Sequence, residues 1–191
     1  MAIHEFCPVT FGQQRLWFLD QLDPKNAAYN LANAFRMRGD LDIDALALAL
    51  REIIRRHDVL RTTFTAVDGQ VMGLLRPFVE LELLPVVSLD NVPEGQKEQH
   101  ALRIAVEEGR RRLDLAAGPL VRFKLVRLSA AEHLLVLTIH HMVADGWSIG
   151  VLLKEMAEFY EVFRAGRLPA TSDLPIQYSD FASWQRAAFG G

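Results

Sequence analysis

The chain has 191 residues, half of them apolar, and a formal net charge of −3, which suits one domain with a normal core and offers no basic face for nucleic acid. No apolar run reaches the roughly 18 residues of a membrane span, and Met1-Ala2-Ile3-His4-Glu5-Phe6 lacks the basic and apolar regions of a signal peptide. The single cysteine, Cys7, excludes an internal disulfide, so the expectation is a soluble cytoplasmic protein.

Thr10 followed by Gln13 has the form of a capping box, in which hydroxyl and amide each satisfy a free backbone N–H. A helix is predicted from there to Leu22, then a turn at Asp23-Pro24-Lys25-Asn26. Tyr29, Leu31, Phe35 and Met37 alternate with mostly small or charged residues and predict a strand, with Asn33 the exception on that face and Gly39-Asp40 its end. Asp42 is a good N-cap for a helix whose apolar stripe is Ile43, Leu46, Leu50, Ile53 and Ile54. Strands at 59–67 and 70–76 flank Asp68-Gly69, a pair suited to the positive φ of a type I′ hairpin turn. A strand at 81–87, a polar helix at 94–113 after Pro93, a break at Gly118-Pro119 and strands at 120–128 and 133–141 follow.

The last of these strands is apolar on both faces through Leu134, Leu135, Val136, Leu137 and Ile139, the pattern of a strand covered on both sides. It ends at His140-His141. A helix follows from near Ser148 with the stripe Ile149, Leu152, Leu153, Met156, Tyr160 and Phe163, closed by Gly166, and a short helix spans 178–188. Strands and helices mix without strict alternation, which predicts an α+β fold with a mixed sheet and helices on one main face.

The segment His140-His141-Met142-Val143-Ala144-Asp145-Gly146 carries the chemistry. Successive side chains on a strand point to opposite faces, so at most one of the two histidines projects readily into a given cleft, and periodicity leaves open which.

His140-His141-x-x-x-Asp145-Gly146 resembles the active-site motif shared by chloramphenicol acetyltransferase-like enzymes and the condensation domains of nonribosomal peptide synthetases. Three further segments are similar to condensation-domain signatures, in the family's order: residues 10–19 from Thr10 to Leu19, residues 56–64 from Arg56 to Phe64, and residues 178–185 from Tyr178 to Gln185. The resemblance implies that His141 faces a reaction channel and is the catalytic residue, and that His140 is structural. It implies that Asp145 turns away from substrate and pairs with an arginine of the second signature, Arg61 first and Arg56 second. Gly146 would supply a tight turn before the helix. Trp17, Phe18 and Leu19 are expected in the core and Tyr178, Phe181 and Trp184 on a packing face, while His4, His57, His100 and His133 receive no role.

The implied fold is a chloramphenicol acetyltransferase-like lobe. The implied reaction is amide formation between a carrier-bound acyl or peptidyl thioester donor and an aminoacyl thioester acceptor. Trp147-Ser148 and the residues 14–19 are similar to the subtype that joins an L-configured donor to an L-amino acid. The implied partners are donor and acceptor peptidyl carrier domains, which bring the phosphopantetheine arms, and the adenylation domain of the same synthetase; no cofactor is held permanently and no metal, nucleic acid or membrane is involved. Residues 1–191 are read as the N-terminal lobe of such a domain, inactive without its second lobe. A carrier-recruiting module without catalysis and a stand-alone acyltransferase of the same superfamily are the alternatives.

Overall fold

The doubly apolar segment that ends at the two histidines lies at the centre of a sheet in the computed structural model, which describes residues 5–23, 26–78, 84–170 and 173–190. In chain order the elements are β1 (Glu5–Pro8), α1 (Phe11–Leu22), β2 (Asn30–Arg38), α2 (Ile43–Arg56), a 3-10 turn (Asp58–Arg61), β3 (Thr62–Val67), β4 (Gln70–Leu75), β5 (Val86–Ser88), α3 (Glu94–Arg110), β6 (Val121–Ser129), β7 (Glu132–His140), α4 (Gly146–Arg164) and α5 (Tyr178–Phe189). The main sheet runs β2-β7-β6-β5 and is mixed: β7 is antiparallel to β2 and β6, and β5 is parallel to β6.

Alternation along β7 divides the interior in two. Leu135, Leu137 and Ile139 join Leu46, Leu50 and Ile53 of α2 and Leu152 and Phe159 of α4 in the larger core. Leu134 and Val136 face the other way, against Ala101 of α3. The helices therefore lie mainly, not wholly, on one face. A close approach of α3 to β2 depends on Gly109, where a Cβ would come within 2.8 Å of the Ala32 Cβ.

Local signals place most elements. Thr10 Oγ1 accepts from Gln13 N at 3.1 Å and Gln13 Oε1 accepts from Thr10 N at 2.9 Å, the predicted capping box. Asp42 Oδ1 accepts from Ala45 N as the predicted cap of α2. Asp68 and Gly69 take φ of 50° and 78° in the hairpin turn between β3 and β4.

Other expectations are corrected. Residues 59–61 belong to the 3-10 turn rather than a strand. The strand expected at 81–87 is seen as Val86–Ser88, and residues 81–83 lie outside the described residues, as do Pro24 and Lys25 of the predicted turn. β1 is absent from the sequence-based expectation: it pairs with β4 to complete a second sheet, β1-β4-β3. Four residues with Pro at the end give no periodicity to read, and the pairing is set by backbone. Phe18 is exposed rather than in the core.

Candidate active site

Strand alternation sends the two histidines to different surroundings. His140 is buried at 4% exposure. Its Nδ1 accepts from Met142 N at 3.0 Å, which places the ring proton on Nε2. Burial, with the nearby His141 and Arg112 charges, holds its pKa down at about 4, so it is a neutral, architectural ring.

His141 is exposed on the opposite face and lines a cleft of about 700 Å³. Its backbone N–H is tied to Tyr29 O at 2.8 Å, at the mouth of β2. Its Nδ1 lies 3.0 Å from Ala144 O. A carbonyl oxygen can only accept, so Nδ1 carries a proton, and in the neutral ring Nε2 keeps its lone pair. The imidazole is thus oriented by the backbone of its own turn, with an acceptor nitrogen left to serve the cleft.

That turn is braced from a distance. Gln13 is buried, and its Nε2 donates to Met142 O at 3.1 Å, across 129 positions of sequence. The same amide closes the cap of α1 through its oxygen. The capping-box pattern exposes Gln13 as a helix starter; nothing in it shows where the amide's remaining N–H goes.

Asp145 is the N-cap of α4, accepting from Ser148 N at 2.8 Å and Ser148 Oγ at 2.7 Å. These bonds hold its carboxyl below the ordinary range. The expected ion pair with Arg61 or Arg56 is not formed. Arg61 binds Asp58, Ile54 O at 3.2 Å and Arg76 O at 2.8 Å, stitching the 3-10 turn to α2 and to the end of β4. Arg56 Nε lies 3.2 Å from Glu155 Oε1 on α4. The aspartate's need is met by its own helix start, and each arginine is closer to another acceptor. Gly146 is the first residue of α4, with φ outside the left-handed region and nothing within 4 Å of a would-be Cβ; it makes no tight turn, and nothing in the structure explains a glycine there.

The four signature segments converge. Arg186 of α5 donates to Val9 O at 2.8 Å and to Gln14 Oε1 at 2.7 Å, with its guanidinium 4.3 Å from the centre of the Phe11 ring. Gln185 Oε1 accepts from Phe11 N at 3.0 Å. The cleft is walled by α1 through Leu16, by α4 through Trp147 and Val151, and by Ile176, Tyr178 and Phe181. Tyr178, Phe181 and Trp184 do not form the expected packing face. They touch one another in tilted pairs along exposed α5, with ring centres 5.7 Å apart in each step.

His57 also lines the cleft, with Nε2 2.6 Å from Glu155 Oε2. Its place in the second signature is visible in the sequence; its carboxylate partner, 98 positions away, is not. Among the described residues no cluster of side chains suits a metal ion, and no helix is long and apolar enough to cross a membrane.

The family model for the condensation domain matches residues 3–190. The chain is 44% identical to part of a linear gramicidin synthase from Brevibacillus parabrevis, over 94% of this chain and 2% of that protein. It is 41% identical to part of phosphinothricin tripeptide synthetase PhsC of Streptomyces viridochromogenes, over 94% of this chain and 16% of the relative. Among solved structures, the X-domain from teicoplanin biosynthesis superposes with a TM-score of 0.84 at 33% identity, over 96% of this chain and 38% of that one. The first condensation domain of the calcium-dependent antibiotic synthetase, solved with a substrate analogue, gives 0.86 at 25% identity, over 98% and 44%.

Proposed function

This chain belongs to the condensation-domain family of nonribosomal peptide synthetases, and from that premise we propose that His141 serves amide formation between two carrier-bound thioesters. The donor is an acyl or peptidyl thioester and the acceptor an aminoacyl thioester, each on the phosphopantetheine arm of a peptidyl carrier domain. Trp147-Ser148 beside the motif supports an L-configured donor and acceptor. The observation that carries the reading is the Nδ1–Ala144 contact of His141, which makes Nε2 the acceptor nitrogen of the neutral ring, in a cleft large enough for a substrate.

The chemistry asks little of a base. An α-amino group has a pKa of about 7.7–8.0, so near neutrality a useful fraction is already a nucleophile. Its attack forms the C–N bond and leaves a cationic nitrogen. His141 Nε2 takes that proton, the C–S bond breaks, and the proton passes to the departing sulfur. General acid–base help of this kind supplies roughly 10²–10⁴-fold.

The assay is carrier-bound donor and acceptor with the synthetase that contains this chain, dipeptidyl product being read by mass spectrometry. His141→Ala should lower the rate by a factor in that range. An unchanged rate would remove His141 from the reaction while leaving the family assignment in place.

A recruiting role without catalysis is the second reading. One observation favours it: the likeness to the teicoplanin X-domain, which is also known in complex with OxyB. Recruitment makes no demand on His141 Nε2, so the same variant separates the two.

A further inference from the structure

Helix α2 ends on His57, whose backbone N–H caps Ile53 O at 3.0 Å. The residues on either side of it are held by one amide. Gln177 Nε2 donates to Arg56 O at 3.0 Å, and Gln177 Oε1 accepts from Asp58 N at 3.2 Å. Gln177 is itself the N-cap of α5, fixed by Asp180. The ring is fixed too: His57 Nε2 lies 2.6 Å from Glu155 Oε2, and the other oxygen of that carboxylate is 3.2 Å from Arg56 Nε. Helix end, peptide clamp and carboxylate thus hold one imidazole on the wall of the cleft.

A carboxylate accepts, so the Glu155 contact places a proton on His57 Nε2. In the neutral ring Nδ1 is then an acceptor, and it bonds to no other described residue. His141 has the opposite tautomer, with Nδ1 donating to Ala144 O and Nε2 open. The cleft therefore carries two imidazoles, each oriented through one nitrogen and each offering the other. Around them the wall is largely apolar, with Leu16, Ile53, Leu60, Val151 and Ile176. A substrate N–H entering such a wall loses water and needs an acceptor.

We propose that His57, oriented by Glu155, is a second substrate-contacting histidine of this cleft, its Nδ1 accepting a hydrogen bond from an N–H of a bound thioester substrate. The proposal rests on the amide-forming reading above. The N–H belongs either to the aminoacyl acceptor, as its amine or an amide of its arm, or to the amide of the donor's pantetheine arm.

Two substitutions separate contact from scaffolding. His57→Gln places an amide N–H near the Nε2 position, keeps the bond to Glu155 and removes the Nδ1 acceptor. His57→Asn puts a carbonyl near the Nδ1 position and gives up Glu155. In the synthetase that contains this chain, His57→Gln should keep its melting temperature and lose about tenfold in kcat/KM, the size of one ordinary hydrogen bond. His57→Asn should melt lower and retain more of the activity. Varying each carrier-bound substrate at saturation of the other tells the sources apart: loss confined to the acceptor titration assigns its N–H, and loss confined to the donor titration assigns the donor's arm. Full kcat/KM for both substrates in His57→Gln, with activity lost only in step with melting in His57→Asn, would overturn the proposal and leave His57 as a pin between α2 and α4. His141→Ala in the same assay reports separately on the underlying reading, since its failure to lower the rate condemns that reading whatever the His57 variants do.

Discussion

The two adjacent histidines differ because one hydrogen bond goes to each ring from opposite directions. A backbone N–H donates to His140 Nδ1, and a backbone carbonyl accepts from His141 Nδ1. For His140 the consequence is a pH dependence of stability. Its folded pKa is about 4, below the 6.5 of a free imidazole, so between those values the unfolded chain binds more protons and stability rises with pH. His133, also buried and also shifted down by burial and by Arg127, acts in the same direction. The contribution of His140 is fully present above pH 6.5 and is lost as pH falls toward about 4, roughly 3 kcal/mol in all. His140→Asn retains an acceptor for Met142 N without a titrating ring. Thermal melts at intervals across that window should show a shallower decline for the variant; parallel curves would mean that His140 is not the group responsible. The motif histidines are legible as a pair at a strand end. Which ring turns to the cleft comes from the resemblance of the motif, which names His141, and not from periodicity: strand alternation fixes only that the two differ, and the contacts that orient them are made by backbone atoms that no periodic pattern marks.

Elements meet at the site through side chains whose second bond the sequence does not display. Gln13 both caps α1 and holds Met142 O. Thr10 takes part in the cap alone. Thr10→Ala should therefore cost about 1 kcal/mol, the ordinary loss of an N-cap. Gln13→Leu keeps the bond to Thr10 Oγ1, whose donor is the backbone N–H of residue 13, but should cost more, about 1–3 kcal/mol for each buried group it leaves without a partner, the Thr10 N–H and the Met142 carbonyl. At about 2–4 °C per kcal/mol for a chain of this size, calorimetry resolves the two. Equal melting points would mean that the two bonds of the Gln13 amide contribute no more than the Thr10 cap. The same division explains what is readable in the fold. Caps, the Asp68-Gly69 turn and the stripe of α2 are decided within a few residues and are predicted correctly. The separate three-stranded sheet depends on Glu5–Pro8 finding β4, where Gly73 lets Cys7 approach: a Cβ there would sit 2.7 Å from the Cys7 sulfur. The Asp145–Arg61 pairing fails for a related reason. Ser148, three residues on, and Asp58, three residues back, reach the aspartate and the arginine before the two can reach each other.

At the scale of the molecule, apolar surface is left without cover around the cleft and along α5. Trp147 is 83% exposed, Ile176 67%, Trp184 58% and Phe189 69%. Ring contacts link Tyr178, Phe181, Trp184 and Phe189 into a row. Contiguous apolar surface beyond a few hundred Å² marks an interaction site, and the chain spans only about two fifths of the solved relatives it matches. Our expectation is that this surface is covered by the remainder of a two-lobed domain. Two measurements on residues 1–191 follow. By sedimentation the chain alone should self-associate, and it should bind a dye for exposed apolar surface; a strict monomer without dye binding would show a finished surface. In the transfer assay the same chain should form no amide, although His141 and its tautomer are in place. Holding reactants in register supplies about 7–11 kcal/mol of a barrier, and a cleft open to water on one side cannot hold two pantetheine arms end to end. Joining the chain to the rest of its domain should suppress dye binding and bring up product together. Product formed by the isolated chain at the rate of the complete domain would mean that one wall suffices, and the two-lobe account would fall with it.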